Sequence, residues 1–191
     1  MTASGLLNVR PIIQAPMAGG ASSPDLVVAV HGAGATGSLA AGYLSTDALA
    51  GQIATVREQG VDPFAVNLFV PSDVEGDPDR LHEYRQELAE EAERHGATIG
   101  EAVHDDDGWD AKLDLLTRDP VPIVSFTFGC PSADVLTRLR EAGSATVVTV
   151  TTVEEARLAA AQGADALCVQ GVEAGGHRAT FDPVHGHDRP L

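Results

Sequence analysis

The chain has 191 residues and a formal charge of −16, with 28 acidic against 12 basic side chains, 43% apolar and 4% aromatic residues, 20 glycines and two cysteines. That length suits a single domain with a buried core, and the acidic balance disfavours nucleic-acid and anionic-membrane partners. Cys130 and Cys168 give neither a disulfide framework nor a metal-ligand spacing, so a reducing cytoplasm and no structural metal are expected.

The opening MTASGLLNVR lacks the basic start and apolar run of a signal peptide, and no apolar run approaches the roughly 18 residues of a membrane span. A first strand is predicted over 11–17, ending in Gln14-Ala15-Pro16-Met17. Pro24-Asp25 opens a helix to about His31, and a second strand follows over 36–42. Ser45 caps the next helix, Gly60 stops it, and the third strand, 63–70, carries the polar Asn67 among Val66, Leu68 and Phe69. Leu81, Tyr84, Leu88 and Ala92 recur with helical period, and Gly96 ends that helix. Another helix spans about 109–117. The fourth strand, 121–129, sets Ser125 and Thr127 on one face and two phenyl rings on the other. Ser132 caps a helix with the stripe Val135, Leu136 and Leu139, stopped by Gly143; the fifth strand is 145–151. Thr152 and Glu155 make a capping box for the last helix, which Gly163 ends before a sixth strand, 164–171.

This alternation predicts an α/β fold with a parallel sheet whose strands are buried on both faces. Six units fall short of a (β/α)8 barrel of about 250 residues, so an open doubly wound sheet and a barrel lacking its last quarter both remain. The acidic runs 75–79 and 105–107 lack EF-hand ligand spacing and read as solvated loops. His185 and His187 form an H-x-H pair in a polar tail and are expected to be disordered rather than metal-binding. Gly32-Ala-Gly34-Ala-Thr-Gly37 matches G-x-G-x-x-G, but it follows a helix and precedes a strand. A dinucleotide fingerprint needs the reverse order.

The segment Gln170-Gly-Val-Glu-Ala-Gly-Gly-His177-Arg178 carries the strongest chemical signal. Period-two alternation puts Ala166, Cys168 and Gln170 on one face of the sixth strand, and Leu167 and Val169 on a face expected to meet helices. An amide at the strand's carboxyl end suits the edge of a heteroaromatic ring. Gly175 and Gly176 permit close approach to a flat ligand, and they deliver His177, which suits proton transfer near neutral pH.

The motifs Gln14-Ala15-Pro16-Met17, Val66-Asn67-Leu68-Phe69, Ser125-Phe126-Thr127-Phe128-Gly129 and Gln170 to Arg178 resemble the nitronate monooxygenase (2-nitropropane dioxygenase) family, from about Pro11 to Asp182. The resemblance implies a TIM (β/α)8-type barrel, apparently truncated after about six βα units, forming one incomplete flavin-binding domain over 1–191. It implies an FMN-dependent enzyme that oxidises alkyl nitronates or nitroalkanes with O2 to a carbonyl compound and nitrite. Under it, Ala15, Pro16 and Met17 line the flavin, Asn67 and Gln170 hydrogen-bond its rings, Ser125 joins the cofactor set, and Gly175 and Gly176 allow close packing. His177 is then the base for the α-proton. Ala179 stands where the family often has glycine, and no segment here matches the family's phosphate-binding loops. Rival readings are an FMN-dependent enoyl-acyl-carrier-protein reductase or NADH:quinone reductase on the same barrel, and a non-catalytic remnant. The expected partners are small molecules and, for an open barrel, a homo-oligomer or a second chain that completes it.

Overall fold

The computed structural model describes residues 11–72 and 77–182. Contacts divide the chain into two compact units, one comprising Met1–Pro71 with Asp107–Leu191 and the other Ser72–Asp106.

The larger unit runs α1 (Pro24–Gly32), β1 (Ser38–Ala40), α2 (Thr46–Glu58) and β2 (Ala65–Phe69). After the smaller unit's α3 (Pro78–Arg94) it continues with α4 (Trp109–Arg118), β3 (Ile123–Thr127), α5 (Ala133–Ala142), β4 (Ala145–Val150), α6 (Val153–Gln162) and β5 (Ala166–Val169). All neighbouring strands pair in parallel, in the order β1-β2-β3-β4-β5. A doubly wound sheet reverses its strand order at a switch point. Sequential order without reversal is that of a barrel arc.

The expected first strand is reduced to a single parallel bridge between Ile13 and Thr36. Two backbone bonds hold it, Gln14 N–H to Thr36 O and Thr36 N–H to Ile12 O, each 2.9 Å. Pro11 and Pro16 bracket it and can donate nothing to a ladder. The bridge still occupies the sixth position of the arc, next to β1. The glycine string joins the end of α1 to the start of β1, so helix precedes strand and the dinucleotide reading fails on order.

Ser45 and Ser132 each accept a first-turn amide where the sequence placed a cap, and Thr152 with Glu155 closes both halves of a capping box; Ser23, just before Pro24, caps α1 in the same way. Leu49, Ile53 and Val56 of α2, Leu113 and Leu116 of α4, and Leu136 and Leu139 of α5 pack with Leu39, Val66, Leu68, Val124, Phe126 and Val148 of the strands. Each fully buried side chain of this kind stabilises the fold by about 1.5–3 kcal/mol.

Within the smaller unit, Asp77 caps α3, and Arg94 and His95 both pair with Glu91. The predicted stripe is helical but unburied: Leu81 and Tyr84 are 41% and 58% exposed. The expected helix-facing side of β5 is likewise open, with Val169 56% exposed. β5 is the edge strand, and no described helix follows it. The stretch 1–10, part of the acidic run 75–79, and His185 with His187 lie outside the described residues.

The segment after β5 is tied back by one carboxylate. Glu155 Oε2 accepts from Thr151 N–H and Oγ1 and from Thr152 N–H, while Oε1 accepts from Thr180 Oγ1 and Phe181 N–H. Burial alone would raise its pKa, but the bonds from Phe181, Thr151 and Thr180 outweigh burial and hold it below the ordinary carboxylate range. With the folded value depressed, the stabilisation is complete above the unfolded pKa of about 4.3 and is lost as pH falls through the folded value. Glu155→Gln turns an amide N–H₂ toward donors, and should cost about 2 kcal/mol at pH 7 by urea unfolding. The gap from the parent should narrow below about pH 4; a gap unchanged down to pH 3 would remove the carboxylate from this role.

Candidate active site

The carboxyl ends of the parallel strands open on one cavity of about 700 Å³, within the size range of small-molecule sites. Its lining comes from the segment after the bridge (Ala15–Ala18), from Asn67 and Phe69 of β2, Thr127 of β3 with Phe128 beyond it, Thr149 of β4, Cys168 of β5, Gln170, and the loop carrying Gly175, Gly176 and His177. The lining residues include no lysine, arginine, aspartate or glutamate. Among the described residues, no group of three His, Cys, Asp or Glu side chains could hold a metal.

Gln14 fixes the first wall. Its Oε1 accepts from Ser38 N–H at 3.0 Å and its Nε2 donates to Ser22 Oγ at 2.9 Å; the same hydroxyl accepts from Met17 N–H at 2.9 Å. A side chain thus replaces the missing ladder bonds and sets Ala15, Pro16 and Met17 along the cavity.

Asn67 is buried on the inward face of β2, opposite Ser125 in register. Its Nδ2 donates to Ser125 Oγ and Thr127 Oγ1, both at 3.0 Å, and no described residue donates to its Oδ1. That oxygen is left for a ligand donor. Ser125 is not among the lining residues; its hydroxyl accepts from Asn67 Nδ2. Thr127, one pleat further along β3, holds the lining position.

Gln170 shapes the site by gripping its own loop. Its Nε2 donates to His177 O at 3.0 Å, and its Oε1 accepts from Ala179 N–H at 2.9 Å and lies 3.5 Å from Arg178 Nη1, which donates to Gln170 O at 3.0 Å. Most of the amide's capacity is spent on the loop, leaving one Nε2 hydrogen for a ring edge. A Cβ at Gly175 or Gly176 would meet nothing within 4 Å, so crowding does not dictate either glycine; Gly176 is required by its φ of +85°. The imidazole of His177 is solvent-exposed and stands edge-on to Phe128, ring centroids 6.2 Å apart. Cys130 lies outside the cavity, and burial pushes its thiol pKa up.

Cys168 lines the cavity on the strand face that alternation shares with Gln170, whereas two other lining residues, Tyr43 and Thr149, carry no sequence signal strong enough to single them out. The available hint was position, since Thr149 and Cys168 are register partners on the inward face and Tyr43 follows a glycine at a strand's carboxyl end.

The family model for nitronate monooxygenase matches residues 2–188. A probable nitronate monooxygenase of Bacillus subtilis (strain 168) is 41% identical, covering 93% of this chain and 51% of its own length. A nitronate monooxygenase of Paraburkholderia phytofirmans is 39% identical over 94% of this chain and 50% of its own. Nitroalkane oxidase from Streptomyces ansochromogenes superposes with a TM-score of 0.87 at 46% identity, over 93% of this chain and 51% of that one. FabK from Thermotoga maritima superposes less well, with a TM-score of 0.66 at 25% identity over 92% and 45%. The chain spans about half the length of the curated relatives it matches.

The grip of Gln170 is open to direct measurement. Gln170→Ala removes the acceptor of the Ala179 amide and the donor to His177 O, and should speed hydrogen exchange at Ala179 by about tenfold or more, at a stability cost of about 1–3 kcal/mol. Unchanged exchange at Ala179 would show that the loop is held elsewhere.

Proposed function

The chain belongs to the nitronate monooxygenase family, and from that membership we propose that the cavity is the flavin and substrate site of an FMN-dependent oxidoreductase converting alkyl nitronates or nitroalkanes, with O2, to a carbonyl compound and nitrite. The observation that carries this reading is the convergence of Ala15–Met17, Asn67, Gln170 and His177 on one apolar cavity at the carboxyl ends of parallel strands.

The lining suits the ring system of a flavin. Its walls are apolar, and two amides keep capacity for a heteroaromatic edge: Asn67 Oδ1 as acceptor and one Nε2 hydrogen of Gln170 as donor. A phosphate finds no lysine or arginine among the cavity's lining residues, in keeping with a chain that spans about half its relatives' length. Asn67, Gln170 and the backbone of Ala15–Met17 would hold the rings. Bound there, FMN would supply the electron acceptor that passes electrons on to O2.

The chain's own residues handle position and protons. Phe69 and Phe128 exclude water from one side of the ligand, raising the worth of each polar contact inside. For a neutral nitroalkane, a neutral imidazole nitrogen of His177 takes the α-proton, while the Gln170 amide holds the His177 backbone in place. A nitronate arrives already deprotonated and makes no such demand. The two unpaired cysteines suit the cytoplasm, and among the described residues no helix is long and apolar enough to cross a membrane.

One observation supports a second reading alongside the first. Leu167, Val169 and Val172 on and beyond β5, and Ile12 and Ile13 at the other margin, are exposed. An unpaired parallel edge flanked by apolar side chains is a template for further strands. On this reading a second copy or another chain completes the barrel, and the arc has little activity without it; a stoichiometric second polypeptide on purification would support this.

FMN titration tests the main proposal, with the 191-residue chain alone and with the relatives' remaining βα units supplied in trans. Flavin uptake with nitronate-dependent O2 consumption is expected; NADH oxidation without it would favour the reductases. His177→Asn should lower nitroalkane turnover by about 10²-fold or more and spare nitronate turnover. Equal losses on both substrates would reject the base.

A further inference from the structure

Four rings stand in line along one wall of the cavity. Tyr43 meets Phe69 edge-on with centroids 5.7 Å apart, Phe69 meets Phe128 at 4.9 Å, and Phe128 meets His177 at 6.2 Å. The row starts at the exposed mouth and ends at the imidazole.

The backbone is bent to build it. A Cβ on Gly42 would sit 2.3 Å from Phe69 Cε2, so only glycine gives that ring its place. Tyr43 and Phe128 have φ of 67° and 72°, in the left-handed region that residues with a Cβ rarely adopt. Such conformations persist where surrounding bonds over-determine them, and they cluster at ligand sites. Here Asp107 Oδ1 accepts from Tyr43 N–H at 2.9 Å, and Asp107 Oδ2 pairs with Lys112 Nζ at 2.8 Å. Lys112, 1% exposed, also donates to Ala41 O at 2.9 Å. A buried lysine and its half-buried carboxylate thus clamp the chain on both sides of Gly42. Yet the phenol that this clamp aims is 76% exposed. A large ring held in a strained backbone, touching Phe69 and otherwise left in solvent where it lines the cavity, adds little to the core.

We propose that the row Tyr43–Phe69–Phe128 is a subsite for the apolar, preferentially aryl, substituent of the substrate, whose reactive carbon lies at His177. This rests on the nitro-compound reading above and names its substrate class as arylalkyl rather than short-chain nitro compounds. Rings at these spacings offer a further aromatic group edge and face contacts that an ethyl group cannot match.

Equilibrium binding tests it without turnover. The 191-residue chain is titrated at pH 6 with 2-phenyl-1-nitroethane and with nitroethane, followed by NMR shifts. The phenyl compound should bind about tenfold tighter or more. Tyr43→Ala, at an exposed side chain, should cut that ratio at least about threefold by weakening the phenyl compound more than nitroethane, and Tyr43→Phe should keep it. Equal affinities, or a preference that survives Tyr43→Ala, would overturn the subsite. Aryl preference without any nitronate-dependent O2 uptake would leave the subsite standing and remove the oxidation reading. Uptake with no aryl preference in binding would do the reverse.

Discussion

Parallel pairing in sequential order is the constraint on which the rest of the molecule depends. Because β1 to β5 all run the same way and each pairs with the next, every strand delivers its carboxyl end to the same rim. Side chains separated by more than a hundred positions meet there without any long loop having to carry them. Asn67 touches Ser125 and Thr127 only because β2 and β3 are in register, Asn67 opposite Ser125 and Phe69 opposite Thr127. A slip by one residue would turn Asn67 toward the helix layer and leave its amide buried without partners.

The last strand shows how little holds the chemical end of the molecule. Among the described residues β5 is flanked on one side only, and its Leu167 and Val169 lie open. What fixes the segment beyond it is polar: the Gln170 amide closes the loop from 171 to 179, and the Glu155 carboxylate takes hold of Thr180 and Phe181. Glu155 exchanges solvation for several converging donors, and the Gln170 amide accepts from Ala179 N–H while donating to His177 O, which makes each costly to remove. The loop bearing His177 is therefore positioned by these hydrogen bonds together with the packing of Ala179 and Phe181 and the ring contact of His177 with Phe128.

Much of this was legible in the residues. The near-continuous apolar runs gave β2 to β5 within a few positions, and the serine caps and the Thr152–Glu155 box gave the helix starts, because these signals act within a few residues of themselves. The choice between barrel arc and doubly wound sheet was not legible in periodicity, since strand order is a long-range property; the motif resemblance implied the barrel, and the sequential strand order agrees with it. The first strand was over-read: apolar Ile12 and Ile13 suggested a strand, while the flanking prolines decided for a bridge. At the site, Asn67 and the Gly-Gly-His loop stood out as polar or flexible residues in apolar surroundings. Ser125 shares the face that alternation gave it but meets Asn67 rather than the cavity, because alternation gives a face and not depth along it. Lys112 was invisible, for a lysine on a helix reads as surface until its carbonyl and carboxylate partners are known.

The open margins of the arc also have a colloidal side. Apolar side chains at both margins draw copies together at short range, while a formal charge of −16 holds them apart at distances set by the screening length. That length shrinks from about 30 Å at 0.01 M salt to about 8 Å at 0.15 M. Whether this polypeptide lives as separate particles or as assemblies is therefore governed by the ionic medium around it as much as by its own contacts.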